Sequence, residues 1–201
     1  MGSEADNGER ARLIGGAAAL GVPLGEPQAL LLLRLLAELA HWNKAYNLTS
    51  IDDREGMLTH HLLDSLSVAP HVAGETVADV GTGAGFPGLP LAIIDPGRRY
   101  TLIDSNNKKI RFGAHVARSL GLGNVEPVHA RVEGLAPATA FDTVVTRAFA
   151  PLPRLLALVR PLCGPQPRGL AMKSARLDEE LRGLDPAWRL DATVALQVPG
   201  I

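Results

Sequence analysis

The stretch Asp79-Val80-Gly81-Thr82-Gly83-Ala84-Gly85-Phe86-Pro87-Gly88 holds the densest chemical signal in the chain. It follows the short apolar strand Thr76–Val80 and opens the helical Leu89–Ile94. Glycines in such a turn let the backbone bend sharply and approach a ligand with no Cβ in the way. The helix behind the turn offers free N–H groups. Gly83, Gly85 and Gly88 match the spacing G-x-G-x-x-G, a weak dinucleotide sign by itself. Asp79, two residues before the first glycine, suits a cationic ligand better than a pyrophosphate. Pro87 removes an N–H where a phosphate would want a donor. S-adenosylmethionine, which carries a sulfonium and an ammonium but no phosphate, fits that charge.

Three further positions line up with the turn. Asp104 ends a second strand, Tyr100–Asp104, where an acid can accept both ribose hydroxyls of an adenosine; NAD sites share this feature. Arg131-Val132-Glu133 follows a third strand, Val125–His129. That turn would lie beside an adenine, with Val132 on the ring and Glu133 or the backbone on its amine. Arg147 follows a fourth strand, Phe141–Thr146, at the border of the place where a methyl group would be transferred, and is either a phosphate or cofactor contact or a surface ion pair. Lys173 ends a fifth strand, Gly169–Lys173.

Other reactive types read as structural. His60, His61, Asp64 and Ser65 lie on one short helix with neither a nucleophile turn nor metal-ligand spacing, so they read as a helix packing on the cofactor face. Cys163 stands among Pro161, Gly164 and Pro165 with no activating base. No metal site is expected.

The elements that would hold these residues alternate. Strands alternate with the helices Leu89–Ile94, Asn107–Leu120, Leu152–Val159 and Leu177–Leu184, which implies an α/β fold: a parallel sheet with helices on both faces. Leu190–Val198 reads as a last strand. Ahead of the sheet, Glu26–Tyr46 is an amphipathic helix with Leu32, Leu35, Leu36, Leu39 and Trp42 on one face. A second helix runs from Arg54 to Val68, capped by Asp52 or Asp53. This divides the chain into a flexible tail (1–24), a helical cap (25–74) and a sheet domain (75–201).

Composition sets the outer bounds. The chain has 201 residues, 46% of them apolar, enough to bury one core. A single cysteine allows no internal disulfide and suits a reducing, cytoplasmic setting. The longest early apolar run, Ala29–Leu33, is too short to span a bilayer. Net charge is −1, so bulk charge does not announce a nucleic-acid binder. Its distribution says more. Arg147, Arg154, Arg160, Arg168, Lys173 and Arg176 stand in a stretch free of acids; Arg98, Arg99, Lys108, Lys109, Arg111 and Arg118 have only Asp104 against them. Two basic groups flanking one site point to an anionic partner.

The chain resembles the RsmG (GidB) family of 16S rRNA guanine-N7 methyltransferases over roughly residues 26 to 200. The resemblance rests on Trp42-Asn43-Lys44-Ala45-Tyr46-Asn47-Leu48-Thr49, His61-Leu62-Leu63-Asp64-Ser65-Leu66 and Asp79–Pro90. It continues through Leu102-Ile103-Asp104-Ser105 with Lys108-Lys109, Arg131-Val132-Glu133, Phe141-Asp142, Arg147-Ala148-Phe149-Ala150 and Ala171-Met172-Lys173. It implies a class I, Rossmann-like S-adenosylmethionine-dependent fold. The implied target is a guanine in the 530 loop of 16S rRNA, in the small subunit or its precursor. It also implies cofactor contacts at Gly81, Phe86, Asp104, Val132, Glu133 and Arg147, beside Asp79, Gly83 and Gly85 of the turn. Asn43, Lys44 and Asn47 become candidates to close the site or meet RNA, with Arg147 and Lys173 steering phosphate. The family usually has glycine where this chain has Ser174. It also resembles proteins that add a final antiparallel strand, which makes the chain look C-terminally truncated, with Leu190–Val198 short of a partner. A monomer is expected.

Guanine N7 presents a lone pair at neutral pH, so no general base is nominated and no catalytic residue is named. The transfer would be an in-line displacement aided by proximity and a preorganised field. Three rivals stand beside it: an NAD-dependent oxidoreductase, a non-catalytic RNA-binding assembly factor, and a methyltransferase of small molecules.

Overall fold

The computed structural model describes residues 4–135, 140–147, 150–173 and 177–201. Five strands form one parallel sheet: β1 (Thr76–Val80), β2 (Arg99–Asp104), β3 (Val125–His129), β4 (Phe141–Arg147) and β5 (Cys163–Met172). Their order is β3-β2-β1-β4-β5, with parallel pairing throughout. The chain therefore reverses direction of travel across the sheet between β1 and β4. That reversal opens a crevice at the carboxyl ends of the strands, where doubly wound sheets bind ligands.

Helices cover both faces. α5 (Gly88–Ile94) and α6 (Asn107–Ser119) lie on one side, and α7 (Leu152–Val159) on the other. β1 is buried along its whole length because both faces are covered. Asn106 caps α6, its side chain accepting from Lys108 N at 3.0 Å.

The amino-terminal helices form a further layer on the α5–α6 side. α2 (Glu26–Tyr46) buries Leu32, Leu35, Leu36 and Leu39, as its periodicity requires. Gln28 Nε2 donates to Ile94 O at 3.2 Å, and Trp42 meets Phe112 of α6 with ring centroids 5.6 Å apart. Residues 4–19, expected as part of a loose tail, form α1 (Glu4–Ala19) instead. Leu13 and Ala17 of α1 are fully buried in the α2 cluster, and Arg54 holds Glu9 through two hydrogen bonds of 2.5 and 2.9 Å. Packing supplies what the weak helical propensity of this glycine-containing segment does not.

The second expected helix is present but not uniform. α3 (Arg54–Gly56), capped by Asp53 Oδ1 on Gly56 N at 2.6 Å, runs into a π-helical stretch, Met57–Leu63, and then α4 (Asp64–Ser67). Thr59 Oγ1 back-bonds to Glu55 O at 3.1 Å, and Ser65 Oγ to His61 O at 2.5 Å, inside this wider turn.

Three expectations fail at the carboxyl-terminal end. β5 is longer than Gly169–Lys173: it begins at Cys163 and carries Pro165 and Pro167, with a register irregularity opposite Phe141 and Thr143. Proline is tolerated there because β5 is an edge strand whose outer N–H groups need no ladder. Leu190–Val198 forms no strand. Apolar alternation does not make a strand without a ladder to join, and Leu190, Val194 and Leu196 remain exposed. The last helix, α8 (Leu177–Leu181), is shorter than expected. Arg176, Ser174, Ala148 and Phe149 lie outside the described residues. Among the described residues, no helix is long and apolar enough to cross a membrane.

Candidate active site at the carboxyl edge of the sheet

The glycine turn leaves β1 at the crevice. Gly81, Gly83 and Gly85 have φ of 70°, 61° and 87°, the left-handed region that a side chain disfavours. Gly81 N and Thr82 N both donate to Ile103 O, at 2.9 and 3.1 Å, which ties the turn to the end of β2. A Cβ on Gly88 would stand 2.3 Å from Leu102 and 2.8 Å from Asp79 Oδ2, so the first residue of α5 must be glycine to reach the strand.

Asp79 is fully buried at the end of β1. Its Oδ2 accepts from Thr82 Oγ1 at 2.6 Å and from Gly88 N at 2.8 Å, locking both ends of the turn. Its Oδ1 is buried without a partner. Burial pushes the carboxyl up from 3.8 to about 6; the Thr82 and Gly88 hydrogen bonds and the Arg147 charge pull the other way. A buried carboxylate oxygen with no donor is costly unless something cationic or hydrogen-bonding reaches it.

Asp104 stands across the turn. Its Oδ2 accepts from Gly83 N at 2.9 Å and its Oδ1 from Asn106 N at 2.8 Å. Each oxygen keeps acceptor capacity for a hydroxyl. Val132 is buried against Val80, Ile103 and Val144, while Glu133 beside it is exposed in the tight turn Val132–Gly134 that follows β3.

Arg147 ends β4 and reaches over the turn. Its Nη1 donates to His60 O at 2.7 Å and to Asp64 Oδ2 at 3.0 Å; Nη2 lies 3.5 Å from His61 Nδ1. The guanidinium carbon sits 5.9 Å from the Phe86 ring centroid, and His61 stacks on the same ring at 4.8 Å and 25°. The structure thus gathers Asp79, Gly81, Gly83, Gly85, Phe86, Asp104, Val132, Glu133 and Arg147 along one edge of the sheet. His61 and Asp64, read from sequence as mere packing, are in contact with Arg147 there. Their spacing of three on one helix is the available signal, and without metal or nucleophile geometry it does not single them out.

The remaining candidates serve elsewhere. Asn43 Oδ1 accepts from Thr49 N at 2.9 Å, and Asn47 closes α2 in the left-handed conformation at φ 50°, so both shape the loop after α2. Lys44 is exposed on that helix. The loop reaches the site through Thr49, whose Oγ1 lies 2.9 Å from His61 Nε2. Lys173 is largely buried and engaged, donating to Glu180 Oε2 at 2.8 Å and to Ala150 O at 2.5 Å.

Residues 28–201 match the family model described as rRNA small subunit methyltransferase G (GidB). The chain belongs to that family. Among its relatives is the ribosomal RNA small subunit methyltransferase G of Stutzerimonas stutzeri, 51% identical over 94% of this chain and 88% of the relative. The protein of the same name from Serratia proteamaculans is 47% identical over 90% and 88%. Among solved structures, an S-adenosylmethionine-dependent methyltransferase from Aquifex aeolicus aligns with a TM-score of 0.50, at 21% identity, over 67% of this chain and 78% of its own. At that identity the likeness shows the fold: a class I, Rossmann-like methyltransferase sheet.

Proposed function

We propose that the chain transfers a methyl group from S-adenosylmethionine to N7 of a guanine in the 530 loop of 16S rRNA, acting on the small ribosomal subunit or its precursor. The observation that carries the cofactor half is the unpartnered, buried Asp79 Oδ1 beside a left-handed glycine turn. A carboxylate so placed fits a cationic ligand, and a turn without Cβ atoms leaves room for it. Family membership supports a methyltransferase over a nicotinamide enzyme.

When bound, S-adenosylmethionine supplies an electrophilic methyl on its sulfonium. The chain supplies the rest. Asp79 would hold the positive end, Asp104 would accept from ribose hydroxyls, and Val132 with Glu133 would border the base. Gly81, Gly83, Gly85 and Phe86 shape the floor, and Arg147 closes it from β4. Guanine N7 needs no base to deliver its lone pair. The contribution of the site is orientation and a fixed field rather than proton transfer. RNA phosphate is met by Lys44 beside Asn43 and Asn47 and by the exposed basic side chains of α6, while Arg147 stays paired with Asp64 beside the turn.

The test is labelled methyl transfer to small subunits lacking the 530-loop methyl group, mapped by borohydride–aniline cleavage, with calorimetry of S-adenosylmethionine binding alongside. Cleavage at one 530-loop guanine is expected. Arg147→Ala should lower transfer by about tenfold or more at unchanged fold. A folded chain that binds no S-adenosylmethionine sinks the reading.

A further inference from the structure

The guanidinium of Arg147 is surrounded from three parts of the chain. The π-helical stretch Met57–Leu63 turns the His60 carbonyl and the His61 ring towards it, Asp64 follows at the start of α4, and Phe86 of the glycine turn lies beneath. Wider turns of this kind occur often at functional sites because they re-aim side chains and carbonyls. A guanidinium has donors only, so the His61 nitrogen facing it must be an acceptor. The ring proton is then on Nε2, which points at Thr49 Oγ1 at 2.9 Å; that oxygen also accepts from Ile51 N at 3.1 Å.

We infer that His61 is a positioning residue for Arg147: its uncharged imidazole accepts at Nδ1 from the guanidinium and donates at Nε2 to Thr49. This holds the guanidinium over Phe86 at the glycine turn. The inference rests on the role given to Arg147 above. It also links the loop after α2 to the site by a chain of contacts, Thr49 to His61 to Arg147, rather than by direct contact with a ligand.

The electrostatics agree with the geometry. His61 is buried, and Arg147 from β4 and His60 on its own helix both oppose a second positive charge; together these hold the imidazole down at about 4. Asp64, also on its own helical run, is spent on Arg147. The glycine turn and the loop after α2 present Phe86 and Thr49 to it, neither of them charged.

Two measurements test this. The first is the nitrogen spectrum of labelled histidine in the full chain without ligand, with the His61 signal assigned by its loss in His61→Asn. A neutral ring protonated on Nε2 and unchanged from about pH 5 to 8 is expected. A proton on Nδ1, or protonation within that window, overturns the inference. The second compares two variants in methyl transfer. His61→Phe keeps a ring to stack on Phe86 but loses both nitrogens; His61→Asn loses the ring but keeps an acceptor near Nδ1. Positioning predicts kcat/KM about tenfold down in the Phe variant and recovered in the Asn variant, because a small displacement of an aiming group is costly. A role in packing alone predicts the reverse order and overturns the inference. A wild-type chain with the expected spectrum that binds no S-adenosylmethionine refutes the cofactor reading while leaving the His61–Arg147 arrangement standing.

Discussion

Asp79 sets a pH dependence that needs no ligand to observe. Its folded pKa stands at about 6 against 3.8, chiefly because the carboxyl is buried. For an acid raised in this way, its contribution to stability is complete below 3.8 and is lost as pH rises through about 6. The gap of about two units corresponds to roughly 3 kcal/mol. Asp79→Asn keeps an oxygen for Thr82 and Gly88 and places an NH2 where Oδ1 has no partner. Urea unfolding at several pH values should show wild type losing stability relative to the Asn variant across that window. Parallel curves would mean the carboxyl finds a donor that the described contacts lack. The turn around Asp79 was legible in the sequence because glycine spacing and an acid at a strand end are local signals. The partnership of His61 with Arg147 was not, since it joins residues 86 apart in the chain.

At the scale of elements, α1 decides how firmly the π-helical stretch is seated. Leu13 is wholly buried, and a Cβ on Gly16 would stand 2.8 Å from Leu63, so the two segments touch with no room to spare. Leu13→Ala should destabilise the chain by about 2–5 kcal/mol in urea unfolding, in the range of core truncations. A loss under about 0.5 kcal/mol, the level of a surface change, would show that α1 is not part of the core. In sequence this segment reads as a tail because Met1 to Arg12 is polar and rich in Gly, Glu and Asp. Gly16 is what allows the close approach. Likewise β5 hid its first half behind Pro165 and Pro167, which are tolerated only because the sheet places that strand at an edge.

For the molecule as a whole, the basic residues divide into engaged and free. Arg147, Lys173 and Arg98 pair with Asp64, Glu180 and Asp95. Lys108, Lys109 and Arg111 have no side-chain partner among the described residues, and the Lys109 ammonium is 3.9 Å from where a Cβ on Gly83 would lie. In filter binding of a 16S rRNA fragment across a potassium chloride series, Lys109→Ala should therefore flatten the log K against log salt slope by about 0.7–0.9, one phosphate contact. Lys173→Ala should leave the slope alone and lower stability instead; the opposite pattern would refute this division. By itself the sequence determined the parallel α/β class, the helix α2, the glycine turn and the acids and arginine at three strand ends. These are written in periodicity, glycine spacing and strand-end position, all of short range. Only the tertiary structure decided that α1 is core, that Leu190–Val198 joins no ladder, that Lys173 is engaged with Glu180, and that His61 and Asp64 contact Arg147. Each of those depends on which distant partner a residue finds, and burial and charge pairing settle that only once the chain is packed.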